Sequence, residues 1–544
     1  MNICSNLSCK KGLLITFLFI ALYSCKTDSE ESVQKHPNIV FFIADDMRPM
    51  HFNFLPEGEG RNLTPNLDKL VEEGTIMMNQ HVVSPVCNPS RFNVLSGMYS
   101  SRATNEEFIR FTEKQKGQTC IQWNAFLKPT DYNIAKALSA EGYTTGFFGK
   151  NHIIEVDSIE KFESYDVNPR EPKILEKLQN NNKKVRNAIL KAGFNDADGL
   201  YHNNPHFIGI DELAVHNLDW SAKAGIDFIE ENKDNPFFLY FATTVPHGPE
   251  EAVRSWNSNP LFTPNGFLED TLDVMPPRHT IAERVKEAGL EGTKRENILW
   301  IDDALGALIN KLEEAGIADN TIIFFFSDHG QDAKGTLYQG GVHDPSVVWK
   351  KGGWKCGSIN EALVSNIDFT PTMLDMAGID YNASKFDGES FLPSLNGENP
   401  EGRESLYFEL GFARGVRKGN WKYMAIRYPQ YAMDWTLEQR DSALQVYNDG
   451  RRYRKVNIVT DDPNKPFSHL EILPGGGDAE AGSTGKYPAY YDADQLYDLS
   501  KDPGELVNLT NNPDYEDILN EMKEELKLYL NALPGTFGEL KTTK

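Results

Sequence analysis

The segment Ser84-Pro85-Val86-Cys87-Asn88-Pro89-Ser90-Arg91 sets a thiol four residues ahead of an arginine. The residues that follow, Phe92-Asn93-Val94-Leu95-Ser96-Gly97, read as a helix closed by a glycine C-cap. Cys87 and Arg91 then lie at or near a helix N-terminus, where unpaired backbone N–H groups favour an anion. A single cysteine in such a place reads equally well as a buried, inert thiol. What separates the two readings is whether the rest of the chain brings reactive partners to it.

Such partners occur after runs that read as buried strands. The apolar run Asn38–Ala44 ends in Asp45-Asp46, and the run Thr321–Phe326 ends in Ser327-Asp328-His329-Gly330. Three carboxylates and an imidazole suit a hard cation such as Ca²⁺ or Mg²⁺. No His-x-His or cysteine pair argues for zinc. The strand near Phe147 leads into Gly149-Lys150-Asn151-His152, and the strand Phe237–Ala242 leads into Val245-Pro246-His247-Gly248-Pro249. Lys334 follows Asp328 by a few residues. Each lysine or histidine alone reads as a surface or supporting residue. Their recurrence beyond strand ends is the pattern expected of a site at the carboxyl edge of a parallel sheet.

The elements that must hold these residues alternate. Thr64 caps a helix with Pro65 in its first turn and Gly74 at its end, and Asn133–Ala140 reads as a second helix before the strand Gly142–Phe148. Helices over 222–231 and 296–314 precede the strands Phe237–Ala242 and Thr321–Phe326. Helices alternating with continuous apolar strands predict an α/β fold: a large, mostly parallel sheet sandwiched by helices. The texture changes near residue 400. Ser405–Leu410 and Trp421–Ile426 read as short strands, 461–487 is polar and Gly-rich, and Tyr515–Leu530 forms an amphipathic helix. The expected domains are an α/β domain over 37–400 and a smaller α+β subdomain with an antiparallel sheet over 401–544.

The 544 residues carry a formal charge of −24, with 79 acidic and 55 basic side chains. That balance argues against nucleic-acid binding. It also requires a local cationic cluster or a metal if the substrate is anionic. Lys10 and Lys11 precede a short apolar run, Gly12–Leu22, of signal-peptide length. Leu22-Tyr23-Ser24-Cys25 resembles a bacterial lipobox. Residues 1–24 are therefore expected to be a lipoprotein signal peptide and 25–36 a tether. Cys25 would carry the lipid that holds an exported protein to a membrane, on the periplasmic side or at the cell surface. With Cys4 and Cys9 removed in the signal peptide and Cys25 and Cys87 used, Cys120 and Cys356 remain as a pair whose bonding the sequence leaves open.

In order and spacing these motifs resemble the type I, formylglycine-dependent sulfatases of the alkaline-phosphatase-like superfamily, from Asn38 to about Pro513. The matches are the paired Asp45 and Asp46; C-x-P-S-R at Cys87, Pro89, Ser90 and Arg91; G-K-x-H at Gly149, Lys150 and His152; P-H-x-P at Pro246, His247 and Pro249; and S-D-[HN]-G at 327–330. Further along come Lys334, Y-x-G-G at 338–341, Asp368-Phe369-Thr370-Pro371-Thr372, Gln495-Leu496-Tyr497-Asp498-Leu499 and Asp502-Pro503. The resemblance implies that a formylglycine-generating maturase oxidises Cys87 to an aldehyde whose hydrate attacks sulfur. It implies one Ca²⁺ held by Asp45, Asp46, Asp328, His329 and residue 87. Arg91 would steady the nucleophile, and Lys150 and Lys334 would bind sulfate. His247 would protonate the leaving alcohol, with Lys334 sharing the task, and His152 would act as base.

The implied reaction is removal of O-sulfate from a sulfated carbohydrate. A phosphonate monoester or phosphodiester hydrolase of the same superfamily and a non-catalytic glycan-binding lipoprotein are the alternatives. Two departures stand out. His329 replaces a common asparagine, and Val342-His343-Asp344-Pro345 replaces the usual R-V-P, which makes His343 a candidate substrate contact. Asp45-Asp46-Met47-Arg48-Pro49 resembles the opening of iduronate-2-sulfatase-like relatives, a hint toward sulfated uronic acids.

Overall fold

A computed structural model describes residues 36–540 except 293, 454, 456, 457, 459, 465–471, 475–482 and 484. The signal segment, Cys25 and most of the tether lie outside the described residues. Strand β1 (Asn38–Asp45) is buried along its whole length. Its side chains serve two cores in alternation: Ile39, Phe41 and Ile43 face one, and Val40, Phe42 and Ala44 face the other. Between two cores there is no position for a polar residue, so the strand is continuously apolar from Ile39 to Ala44, with Asn38 and Asp45 at its ends. Each phenylalanine so buried contributes roughly 1.5–3 kcal/mol.

β2 (Thr75–Met77), β3 (Thr144–Lys150), β4 (Asp196–Tyr201), β5 (Phe237–Pro246), β6 (Thr321–Ser327), β7 (Ser346–Lys350) and β8 (Ser358–Asn360) complete one eight-stranded sheet. Its order is β8-β2-β7-β6-β1-β5-β3-β4. The five strands from β6 to β4 run parallel. β7 is antiparallel to both its neighbours, and β8 pairs parallel with β2. The sheet is thus mixed but mostly parallel where the candidate residues fall.

Helices α1 (Pro65–Glu73), α2 (Cys87–Ser96), α3 (Ile134–Ala140), α4 (Pro172–Lys191), α5 (Leu218–Asn232), α6 (Arg295–Glu314) and α7 (Phe369–Met376) divide between the two faces. Phe92, Leu138, Ile189 and Met373 place α2, α3, α4 and α7 on one. Leu70, Phe228 and Leu308 place α1, α5 and α6 on the other.

A second sheet of four antiparallel strands follows: β9 (Ser405–Leu410), β10 (Ala413–Lys418), β11 (Trp421–Ile426) and β12 (Asp494–Asp498). One face meets helix α8 (Glu516–Ala532) through Tyr407, Val416, Tyr423, Leu496, Leu519, Met522 and Leu526. The other, with Phe408, Met424, Ile426 and Tyr497, continues the core of the large sheet. β10 escapes sequence reading because Ala413-Arg414-Gly415-Val416-Arg417-Lys418 has no apolar alternation. Cys120 is buried, Cys356 is exposed, and both are free thiols, so the pair left open by the sequence is unbonded.

Candidate active site

The site forms where adjacent parallel strands end together. β1 lies between β6 and β5, with Ala44 opposite Ser327. That register sets Asp45 and Asp46 beside Asp328 and His329. Asp46 leaves the strand with φ of 68°, and its backbone N–H donates to Asp328 Oδ1 at 3.0 Å. β3 ends at Lys150, after Gly149 turns the chain with φ of 90°. A Cβ at Gly149 would stand 1.9 Å from the Ala242 carbonyl oxygen on β5, so close approach and backbone conformation both demand glycine. β5 runs on to His247.

Helix α2 brings the thiol. It begins at Cys87, with Val86 as N-cap and Gly97 in the left-handed conformation after its end, and all ten of its residues are buried. Cys87 Sγ lies 3.5 Å from His329 Nε2, 3.5 Å from Lys334 Nζ and 3.9 Å from Asp46 Oδ1. Asp46, Cys87, Asp328 and His329 form a buried group whose donor atoms all lie within 4.8 Å of one another. Two carboxylates and an imidazole converging at that spacing fit a divalent cation, and their oxygen content favours a hard one.

Asp45 lies just behind this group. Arg91 Nη2 donates to its Oδ1 at 3.1 Å and Lys150 Nζ to its Oδ2 at 2.7 Å, with none of the three side chains exposed. Arg91 also donates to Asp328 Oδ2 from Nη2 at 3.1 Å and from Nε at 3.3 Å. Burial pushes the Asp45 carboxyl up, but Lys150 and Arg91 outweigh it and hold the group well below the usual carboxylate range. Burial likewise raises Asp46, and Lys334, 2.6 Å away, with His247 and His329 reverses the shift.

A cavity of 760 Å³ opens onto Cys87, His152, His247 and Lys334. Burial, with Lys150 and Arg91 nearby, depresses the His152 imidazole well below its ordinary value and keeps it neutral. Its Nδ1 has no hydrogen-bond partner. His247 Nε2 faces Asp46 Oδ2 at 3.6 Å and accepts from Asn204 Nδ2 at 3.0 Å, while Nδ1 pairs with the Gly248 carbonyl at 3.0 Å. Burial lowers its pKa despite Asp46 and Asp45.

Four predicted residues therefore line one cavity, and the carboxylates, Arg91, Lys150 and His329 back it. His343 is not brought there. Its half-buried ring packs against that of His81, and Nε2 pairs with the Met78 carbonyl at 2.7 Å. Lys150 is spent on Asp45 and does not line the cavity.

The later motifs are scaffolding. Tyr338 and Tyr497 both donate to Gln495 Oε1, at 2.8 and 2.9 Å, tying the loop that carries Lys334 to β12. Asp368 accepts from Arg403 and from the backbone of Ser365 and Glu389. The segment 202–207 supplies several cavity residues including Asn204, none of which a motif singles out. It follows β4, whose Asp196-Ala197-Asp198-Gly199-Leu200-Tyr201 lacks the apolar run that marks the other strands. Applied to β4, the strand-end rule finds it.

A family model described as sulfatase matches residues 37–379, and a second, described as N-sulphoglucosamine sulphohydrolase, C-terminal, matches 327–447. The chain belongs to the sulfatase family, whose members hydrolyse sulfuric esters. An ulvan-active sulfatase of Formosa agariphila is 23% identical over 95% of this chain and 80% of its own. An N-acetylgalactosamine-6-sulfatase of Mus musculus is 23% identical over 92% of this chain and 87% of its own. Among solved structures, a sulfatase from work on glycosaminoglycan metabolism by Bacteroides thetaiotaomicron superposes with a TM-score of 0.58 at 19% identity, covering 91% of this chain and 99% of that one.

Proposed function

We propose that this sulfatase removes O-sulfate from a sulfated carbohydrate, using Cys87 after its conversion to formylglycine and a Ca²⁺ ion held by Asp45, Asp46, Asp328 and His329. The observation that carries the reading is the convergence of Cys87, Lys334 and the buried donor group at the floor of one cavity. The relatives' substrates, ulvan and N-acetylgalactosamine 6-sulfate by their names, support a sugar sulfate as the ester. Asp45 has a second lone pair on each oxygen beyond those used by Arg91 and Lys150, which leaves it able to join the ion.

Formylglycine and the cation together supply a nucleophilic oxygen and withdraw charge from the sulfate. Within the chain, Lys334 presents its ammonium to sulfate oxygens at the cavity floor. Lys150 acts from behind, by fixing Asp45. His152, neutral and with an unpartnered Nδ1, is suited to take a proton from residue 87. His247 holds its Nε2 toward the cavity side of Asp46 and is placed to donate to the leaving oxygen once protonated, with Lys334 beside it.

Residues 37–400 form the catalytic domain in this reading and 401–544 its C-terminal subdomain. Residues 1–24 direct export, and Cys25 carries the lipid. Among the described residues, no helix is long and apolar enough to cross a membrane.

Peptide mass analysis of protein co-produced with a formylglycine-generating maturase, paired with turnover of an aryl sulfate and a phosphodiester, tests the reading. Conversion at Cys87 with sulfate ester preferred, both lost in Cys87→Ala, is the expected result. A Cys87→Ala protein as active as the parent, or a preference for the phosphodiester, overturns it.

A further inference from the structure

We propose that the solvent-facing wall of the cavity rejects anions, so that the sulfate to be removed sits on a sugar whose other groups are uncharged or cationic. This rests on the sulfatase reading and narrows its substrate, away from the sulfated uronic acids to which residues 45–49 pointed. Glu107, Glu155 and Asp157 line that wall; Glu107 and Asp157 are exposed and Glu155 is half-buried. Among the described residues, none of the three carboxylates has a hydrogen bond or ion pair. Lys334, at the floor, is the one lysine or arginine among the described lining residues. The positive end of the cavity therefore faces a single sulfate, and the rest of the ligand meets negative charge.

Two further features point the same way. Asn204, 4% exposed, lines the cavity, and its Oδ1 is buried without a partner. An unpaired buried acceptor calls for a donor, which a sugar hydroxyl or ammonium supplies and a sulfate or carboxylate does not. Trp123, Phe126 and Phe207 add apolar faces, Phe207 being 56% exposed at the cavity. Aromatic faces suit the C–H surface of an uncharged sugar ring and do nothing for a second anion. Burial raises the Glu155 carboxyl, Asp157, Glu106 and Glu107 repel it further, and Lys128, which does not line the cavity, offsets this only in part, so the wall carries like charge before a ligand enters. A like charge placed there is opposed by each carboxylate in turn.

The test is calorimetric binding to the full chain carrying Cys87→Ala, in Ca²⁺ and low salt. The ligands are the monosulfates of galactose and N-acetylglucosamine and the corresponding disulfates. At least one monosulfate is expected to bind about tenfold more tightly than every disulfate that contains it. Adding Glu155→Gln and Asp157→Asn should bring the two within about twofold, by tightening the disulfate more than the monosulfate. A disulfate that binds as tightly as its monosulfate, a gap that the double substitution leaves intact, or no binding by any monosulfate overturns the proposal. Turnover by the formylglycine-bearing protein is scored separately. Cleavage with a preference for disulfates overturns the wall alone, and selective binding without cleavage overturns the reaction alone.

Discussion

Arg91→Met tests whether the site is held together by buried charge. The guanidinium bonds Asp45 and Asp328 at 3.1 Å each, and all three side chains are fully buried. Removing one partner of a buried ion pair costs about 3–5 kcal/mol, because it strands an uncompensated charge. Two pairs share this arginine, but the losses do not add. Lys150 still neutralises Asp45 at 2.7 Å, so the deficit falls on Asp328. That carboxylate keeps the Asp46 N–H at 3.0 Å and His329 Nε2 at 3.6 Å. The expected loss is therefore near the lower end, about 3 kcal/mol. The methionine stem retains most of the packing, so the loss is one of charge. Urea unfolding in EDTA, followed by the fluorescence of the eight tryptophans, measures it. Arg91→Lys, which keeps the charge but not the fork that reaches both carboxylates, should lose roughly half as much. A loss under about 1 kcal/mol in Arg91→Met refutes the reasoning, since buried carboxylates left without their cation cannot be that cheap.

Gly149→Ala forces a Cβ to within 1.9 Å of a neighbouring-strand carbonyl at φ of 90°, and should cost about 3–5 kcal/mol or abolish soluble expression, read from yield and urea midpoint. Ca²⁺ at a hundred times its dissociation constant should stabilise the protein by about 2.7 kcal/mol over EDTA, and Asp46→Ala should abolish that gain in a thermal melt. Burial holds His51 and His216 at about 3, below the unfolded value of about 6.5. Between those values the unfolded chain binds more protons, so their contribution to stability falls as pH drops through that window. His216→Gln should flatten the stability–pH slope by up to about 1.4 kcal/mol per pH unit, measured by urea unfolding between pH 6.5 and 5; an unchanged slope counts against the assignment.

The chain's residue types alone determine much of this protein. Continuous apolar runs mark β1, β5 and β6, because strands with a core on both faces tolerate nothing else. Asp45, Asp46, His247, Asp328 and His329 were legible because they follow those runs, Lys150 because it follows the shorter run of β3, and Cys87 because a glycine-capped helix follows it. β4 and β10 were illegible for the converse reason: Asp, Gly and Arg occupy positions whose burial is supplied by neighbouring elements. With β4 went the strand end that places Asn204, so the loops over 104–129 and 155–206 were legible as substrate-determining but their geometry was not.

What only the tertiary structure decided is which of these residues line the cavity. Lys150 and His343 have the chemistry of sulfate ligands, yet Lys150 is consumed by Asp45 and His343 by the Met78 carbonyl. Spacing along a chain says that a side chain stands at a strand end. Which neighbour claims its charge depends on strand order and register, and those are set by long-range packing that no local run of residues records.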